Sequence, residues 1–293
     1  MLGRSSGDND SQTSGVLIQY LREVSEYLRG VNISRKAVTL AVAVLVLAGL
    51  LGVRYREEGT LLPTSSGGGG RELPIYCVQT QEPKIALTFD AAWGNEDTHK
   101  IMEILKKNDV KVTFFMTGGW VESYPEDVKM ILAEGHDLGN HSQNHKNMSQ
   151  LSDAEKEKEI MSVHEKVKEL TGYDMFLFRP PYGDYDPKLI RVTKKCNYYP
   201  IQWDVDSLDW KDYGVDSIIK TVTQHEHLGN GSIILCHNGA RYTAEALDTL
   251  IRTLKDAGYQ FVPLSELIYR NGYSMDHEGR QIPDGETTDQ KDN

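Results

Sequence analysis

The feature that most limits the possible folds is a regular alternation of strand-like and helix-like runs through the middle of the chain. Lys84–Asp90, Lys111–Thr117, His136–His141, Met175–Phe178, Tyr198–Val205, Ser232–His237 and Gln260–Leu264 read as short strands. Amphipathic segments near 97–108, 122–134, 153–170, 186–195, 215–227 and 243–257 separate them. A strand that must pass through a helix before the next strand returns to the same end of the sheet, so the strands run parallel. About seven such units, with polar residues collecting where strands end, predict an α/β fold: a closed or nearly closed (β/α) barrel with its site on the C-terminal face. A doubly wound open sheet is the alternative, weakened by the absence of its glycine-rich dinucleotide fingerprint.

Five chemically loaded stretches fall at those strand ends: Thr88-Phe89-Asp90, Asn140 to His145, Arg179 to Gly183, Asp206 to Trp210, and Leu235 to His237. His141 and His145 stand four residues apart and can share one metal ion from a short turn. A bare pair of this kind is more often two surface polar residues. The other four stretches shift the reading to a metal-assisted hydrolase. Period-two alternation puts Ala86, Thr88 and Asp90 on one face of their strand. Asp90 then ends at the rim as a carboxylate able to deprotonate water, its plainer alternative being a helix cap. Leu235 and His237 share a face and Cys236 points away, which argues against a Cys–His nucleophile pair. A rim histidine suits general-acid work near neutral pH, and Asp209 beside it would favour the imidazolium. Arg179, a planar fixed cation, can orient Asp90 and keep it ionised. Tyr182 or its backbone N–H can serve as an oxyanion donor, while Trp210 and Leu235 form an apolar wall for a small acyl group.

In this order the residues resemble the five motifs of the polysaccharide deacetylases, the NodB-homology domain of carbohydrate esterase family four, over about residues 80–270. The resemblance implies a distorted (β/α) barrel and a divalent metal, usually zinc, that activates water to remove N-acetyl groups from chitin-like or peptidoglycan sugars. It implies Asp90 as base, His237 as acid, Arg179 and Asp209 as their supports, His141 and His145 as metal ligands, and Tyr182 at the oxyanion site. The Asp90-x-x-Trp93-Gly94 form is most similar to the sporulation-type branch of the family. One position departs from the pattern. The family's first motif carries a second aspartate as third metal ligand, and here that residue is Ala91. A methyl group cannot coordinate, so metal binding is expected to weaken by orders of magnitude. Asn95, Glu96 or Asp97 could supply a replacement, or Asp90 could turn ligand. Loss of metal altogether would leave a glycan-binding pseudoenzyme.

The flanks read differently. Residues 1–36 carry an amphipathic pattern from Val16 to Val31, and 37–53 is an apolar run at the short end of what spans a bilayer. Basic residues before it place the N-terminus in the cytoplasm and the catalytic domain outside, as a single-pass anchor; a cleaved signal peptide is the competitor. Residues 54–72 include a four-glycine tether, 73–273 form the deacetylase domain, and the polar 274–293 is expected to be a disordered tail. The net charge of −11 argues against a nucleic-acid partner. Three cysteines are too few for a disulfide framework, and Cys196 and Cys236 are expected as small buried hydrophobes. The six histidines outside the motifs (His99, His136, His164, His225, His227 and His277) are assigned to solvent or packing.

Overall fold

Each strand–helix unit of the sequence becomes one layer of a parallel sheet backed by helices. The structure is a computed structural model that describes residues 72–285. The proposed amphipathic helix, membrane anchor and most of the tether lie outside the described residues. In chain order the elements are β1 (Cys77–Val78), β2 (Lys84–Ala91), α1 (Thr98–Lys107), β3 (Thr113–Met116), α2 (Gly118–Ser123), α3 (Pro125–Ala133) and β4 (Asp137–Asn140). There follow α4 (Asp153–Thr171), β5 (Leu177–Phe178), α5 (Pro187–Lys195), β6 (Tyr199–Pro200), β7 (Val205–Asp206), α6 (Val215–Thr223) and β8 (Ile233–His237). The last are α7 (Thr243–Asp256), β9 (Gln260–Phe261), α8 (Leu264–Leu267), β10 (Tyr273–Met275) and β11 (Arg280–Pro283).

The main sheet runs β6-β5-β4-β3-β2-β8-β7, with β9 added to the start of β2, and every pairing in it is parallel. It is a half-barrel. β6 and β7 do not pair, which corrects the expectation of a closed or nearly closed ring. The edge of β6 is taken up instead by the N-terminal segment: Ile75 bridges Ile201, and Cys77 bridges Ser232 near the start of β8. Gly231 makes this approach possible. Its φ is +84°, and a Cβ there would stand 1.7 Å from the Val78 carbonyl oxygen.

Alternation along the strands divides the interior. Ile85, Leu87, Phe89, Phe114, Leu138, Ile234 and Cys236 point toward the helices and form the larger core with Ile101, Leu105, Val163 and Leu250. Ala86, Phe115, Leu177, Ile201 and Ile233 face inward and pack with Leu264 and Leu267 of α8. Full burial of one such large side chain contributes about 1.5–3 kcal/mol. The helices start where the chain supplies caps: Ser152 and Glu155 form a capping box on α4, and Asp186 caps α5 ahead of Pro187. Pro125 splits the expected 122–134 helix into α2 and α3.

The expected disordered tail is partly wrong. Residues 273–283 form a hairpin that pairs β11 alongside β1 in a separate three-stranded sheet. The buried Gln281 amide locks it by donating to the Tyr269 carbonyl at 2.8 Å and accepting from the Tyr269 N–H at 2.9 Å. Residues 286–293 lie outside the described part. All three cysteines are free; Cys77 and Cys236 are buried, but Cys196 is only half-buried. Among the described residues no helix is long and apolar enough to cross a membrane.

Candidate active site

Strand register brings the motif residues to one end of the sheet. Asp90 is the last residue but one of β2 and pairs in register with His237, the last residue of β8, and the Asn238 N–H donates to the Asp90 carbonyl at 3.0 Å. One strand further, Met116 of β3 is level with Asn140 of β4, and Asn140 with Phe178 of β5. His141 and Arg179 are therefore the first residues past their strands, beside Asp90.

Asp90 is buried, and its Oδ1 accepts a hydrogen bond of 2.8 Å from Arg179 Nη1. Burial is the largest single influence on this carboxyl and pushes its pKa up. The Arg179 cation comes first among the opposing influences; with the nearby imidazoles of His141 and His237 and the Arg179 hydrogen bond it outweighs burial, so Asp90 lies below the usual carboxylate value and is ionised. Arg179 is 0% exposed. Its guanidinium lies 4.1 Å from the Phe115 ring centroid, and Nη2 donates to the Gln202 carbonyl at 3.2 Å. Burial lowers its pKa and Asp90 opposes that shift.

His141 is buried, and its Nδ1 lies 2.7 Å from the Arg179 carbonyl oxygen. A carbonyl only accepts, so Nδ1 carries the proton and the Nε2 lone pair faces the site, 3.4 Å from Asp90 Oδ2. Burial lowers its pKa against the pull of Asp90, keeping the ring neutral. His145 follows a turn in which Ser142 (φ 66°) and His145 itself (φ 51°) both take left-handed backbone. Local bonds hold this uncommon geometry: Asn140 Oδ1 accepts from the Ser142 N–H, and Ser142 Oγ accepts from the His145 N–H, each at 3.0 Å. Glu159 of α4 pins the outer side of the turn through the Asn144 N–H and side-chain amide. The His145 ring stands edge-on to His141, Trp93 and Tyr182, with centroids 4.9, 4.8 and 4.5 Å away. Burial, then the neighbouring His141, pushes its pKa down to about 4, and its Nδ1 is buried without a hydrogen-bond partner among the described residues.

Across the site, His237 Nδ1 bonds Asp209 Oδ1 at 2.7 Å, and the His237 N–H donates to Asp209 Oδ2, also at 2.7 Å. Thr243 Oγ1 donates to the same Oδ2 at 2.6 Å. Burial is the largest influence on His237 and lowers its pKa. The bond and charge of Asp209, joined by Asp90 and Asp206, overcome it and leave the pKa raised. Leu235 is buried one alternation below His237, and Cys236 faces the helices as expected. Trp210 is exposed on the turn after β7, between left-handed Leu208 and Asp212. Tyr182 is exposed and also left-handed, at φ 59°.

The two imidazoles fit a divalent ion: one has its lone pair fixed toward the site, and the other has a buried unpartnered nitrogen. The third donor is missing. Ala91, the last residue of β2, is fully buried, and no group of three His, Cys, Asp or Glu side chains suited to a metal occurs among the described residues. The downstream candidates are engaged elsewhere. Asn95 donates to Asp127, Asp97 accepts from the Gly239 N–H, and Glu96 folds back on Gly94. The other histidines behave as packing or surface groups; buried His136, for example, accepts from the Val112 N–H at 3.1 Å.

Two neighbours of the site carried no assigned role from the sequence. Thr243, second partner of Asp209, begins a helix with no motif around it. Trp93 could have been found through the Asp-x-x-Trp-Gly pattern.

A parallel half-barrel thus carries the Asp90–Arg179 and His237–Asp209 pairs together at the C-terminal edge of its sheet. Residues 78–201 match the family described as polysaccharide deacetylase. The chain is 36% identical to the peptidoglycan-N-acetylmuramic acid deacetylase PdaA of Bacillus subtilis, an alignment covering 67% of this chain and 75% of that protein. It is 37% identical to a peptidoglycan-N-acetylglucosamine deacetylase of Bacillus cereus, over 63% of this chain and 68% of that one. A solved structure of a CE4-family pseudoenzyme from Bacillus anthracis aligns with a TM-score of 0.64 at 33% identity, covering 72% of this chain and 70% of its own. A mutant of that pseudoenzyme, at 34% identity with a TM-score of 0.64 and covering 72% of this chain and 73% of its own, is described as having restored enzymatic activity. This chain belongs to the polysaccharide deacetylase family.

Proposed function

We propose that this chain is a peptidoglycan N-deacetylase that hydrolyses the acetamide of a wall amino sugar. The observation that carries the reading is the paired support of acid and base: ionised Asp90 held by buried Arg179, in register with His237 held by buried Asp209. A module that only binds glycan has no physical need for all four. On this reading Asp90 takes a proton from water as the water oxygen adds to the acetamide carbon. His237, whose pKa Asp209 raises, gives a proton to the nitrogen as the C–N bond breaks, releasing acetate and a free amine. Tyr182 stands at the oxyanion side, and Trp210 with Leu235 receives the acetyl methyl. His141 and His145 would hold the divalent ion, most simply zinc, which when bound polarises the carbonyl and acidifies water.

Relatives named as muramic acid and glucosamine deacetylases support a peptidoglycan substrate. The apolar run 37–53 supports a single-pass anchor with this domain outside the cytoplasm, and the Asp90-x-x-Trp93-Gly94 form supports a place in spore-wall maturation. A second reading, a glycan-binding pseudoenzyme, is favoured by Ala91 alone, and the likeness to a pseudoenzyme keeps it in view. Zinc titration of the metal-stripped protein, with acetate release from peptidoglycan fragments followed in parallel, separates the two. Acetate appearing only with metal supports the deacetylase. Glycan binding with neither saturable zinc nor acetate establishes the pseudoenzyme.

A further inference from the structure

Four large aromatic side chains are exposed among the described residues: Trp93, Tyr182, Trp210 and Tyr213. All four lie on loops that follow strand C-termini, around the site. Trp93 and Tyr182 each set a ring against His145. Trp210 and Tyr213 do something different. They share the turn after β7 with Lys211, whose ammonium lies 5.0 Å from the Trp210 ring centroid and 6.0 Å from that of Tyr213. Among the described residues that ammonium has no ion pair or hydrogen bond. On the loop after β8, Arg241 also lacks a carboxylate partner among the described residues and rests 5.1 Å from the Tyr242 ring. The two loops are clamped to one buried carboxylate, since Asp209 precedes Trp210 and accepts from both His237 and Thr243.

Two cations unpaired among the described residues, on the loops that follow β7 and β8, run against a chain whose net charge is −11. The carboxylates nearby do not cancel them by contact. Asp209 is spent on His237 and Thr243, Asp97 accepts from the Gly239 N–H, and exposed Asp212 forms no ion pair among the described residues. Aromatic faces stack on the C–H faces of pyranose rings, whereas an ammonium and a guanidinium next to them call for an anion. A neutral chitin-like strand offers nothing for the cations. Peptidoglycan glycan does, because every second sugar carries a lactyl ether that ends in a carboxylate once its peptide is removed.

We infer that the Trp210–Tyr213 turn and Arg241 form a subsite for a carboxylate-bearing sugar, next to the unit presented to His237. This rests on the glycan reading above and goes beyond it, because it assigns Lys211 and Arg241 as specificity determinants. The test is equilibrium binding of the full-length chain to three probes: chitotetraose, a peptidoglycan tetrasaccharide stripped of peptide, and the same tetrasaccharide with its peptides attached. The stripped tetrasaccharide should bind about fivefold or more tighter than chitotetraose at low salt, with the preference shrinking as salt rises. The double variant K211Q/R241Q should erase the preference while still binding chitotetraose, and K211R should keep it. Equal affinity of the wild-type chain for the neutral and stripped strands, or a preference surviving in the double variant, overturns the proposal. So does a preference confined to the peptide-bearing probe, which would place the carboxylate on the peptide. If the preference holds but no probe releases acetate, the hydrolase reading fails and the subsite stands. Acetate release without any preference has the opposite meaning.

Discussion

Arg179 donates to Asp90 across 2.8 Å with its guanidinium wholly out of solvent and Asp90 almost so. A buried pair of this kind contributes modestly to stability when intact, and breaking it leaves an uncompensated charge. R179Q is therefore expected to destabilise the domain by about 3–5 kcal/mol in urea unfolding. D90N also strands a charge but removes the proposed base as well, so acetate release should drop by roughly 10²–10⁴-fold in whatever fraction remains folded. D90N protein that is folded and still fully active would remove Asp90 from the mechanism.

Ala91 is the one family position whose chemistry is absent, although both imidazoles are already held in place. Restoring a carboxylate with A91D should raise zinc affinity by about tenfold or more, because it adds an anionic donor to two neutral ones. The metal-free protein should lose about 1–3 kcal/mol, since the new carboxylate occupies a fully buried position. Calorimetric zinc binding and thermal unfolding with and without metal check both signs. Unchanged zinc affinity in a folded A91D would mean that position 91 does not face the ion.

The parts legible in the sequence are those fixed by short periods. Asp90, Leu235 and His237 could be assigned to the inner face, and Cys236 to the outer, from alternation alone, and the structure agrees. What escaped depends on distant pairing. Nothing local in the polar stretch 273–283 announces strands. They form because β11 finds β1, more than two hundred residues earlier, and because Gln281 meets the Tyr269 backbone. The open side of the half-barrel has the same origin: the segment at Ile75 covers β6 where β7 does not reach it. Thr243 was invisible for this reason too, being a helix-start threonine that becomes part of the site only when α7 docks beside Asp209.

Asp209 raises the His237 pKa by hydrogen bond and charge against the effect of burial. A general acid must be protonated to act, so a raised pKa extends activity toward higher pH. D209N keeps the size of the side chain and removes its charge. The high-pH limb of kcat should then move down by about one pH unit or more. T243V, which removes only the second bond to Asp209, should move it less and in the same direction. A D209N enzyme that is slower at every pH with an unmoved limb would reduce Asp209 to a structural role.

Stability should also depend on pH through a residue far from the chemistry. Burial pushes His136 from its ordinary value of 6.5 down to about 4, and its Nδ1 accepts the Val112 N–H, which requires the unprotonated ring. The sign follows from linkage. Above about pH 6.5 the ring is neutral in both folded and unfolded chains, and its native contacts are fully retained. As pH falls toward 4 the unfolded chain takes up the proton first, so stability declines across that window and levels off once the folded chain is protonated too. His145, also near 4 in the metal-free protein, adds a decline of the same sign. H136Q removes the titrating ring, so its unfolding free energy should drop less between pH 7 and pH 5 than that of the wild type. Denaturant midpoints of the metal-free protein at the two pH values measure this directly, and identical slopes in both proteins would show that His136 is not the buried neutral group its surroundings require.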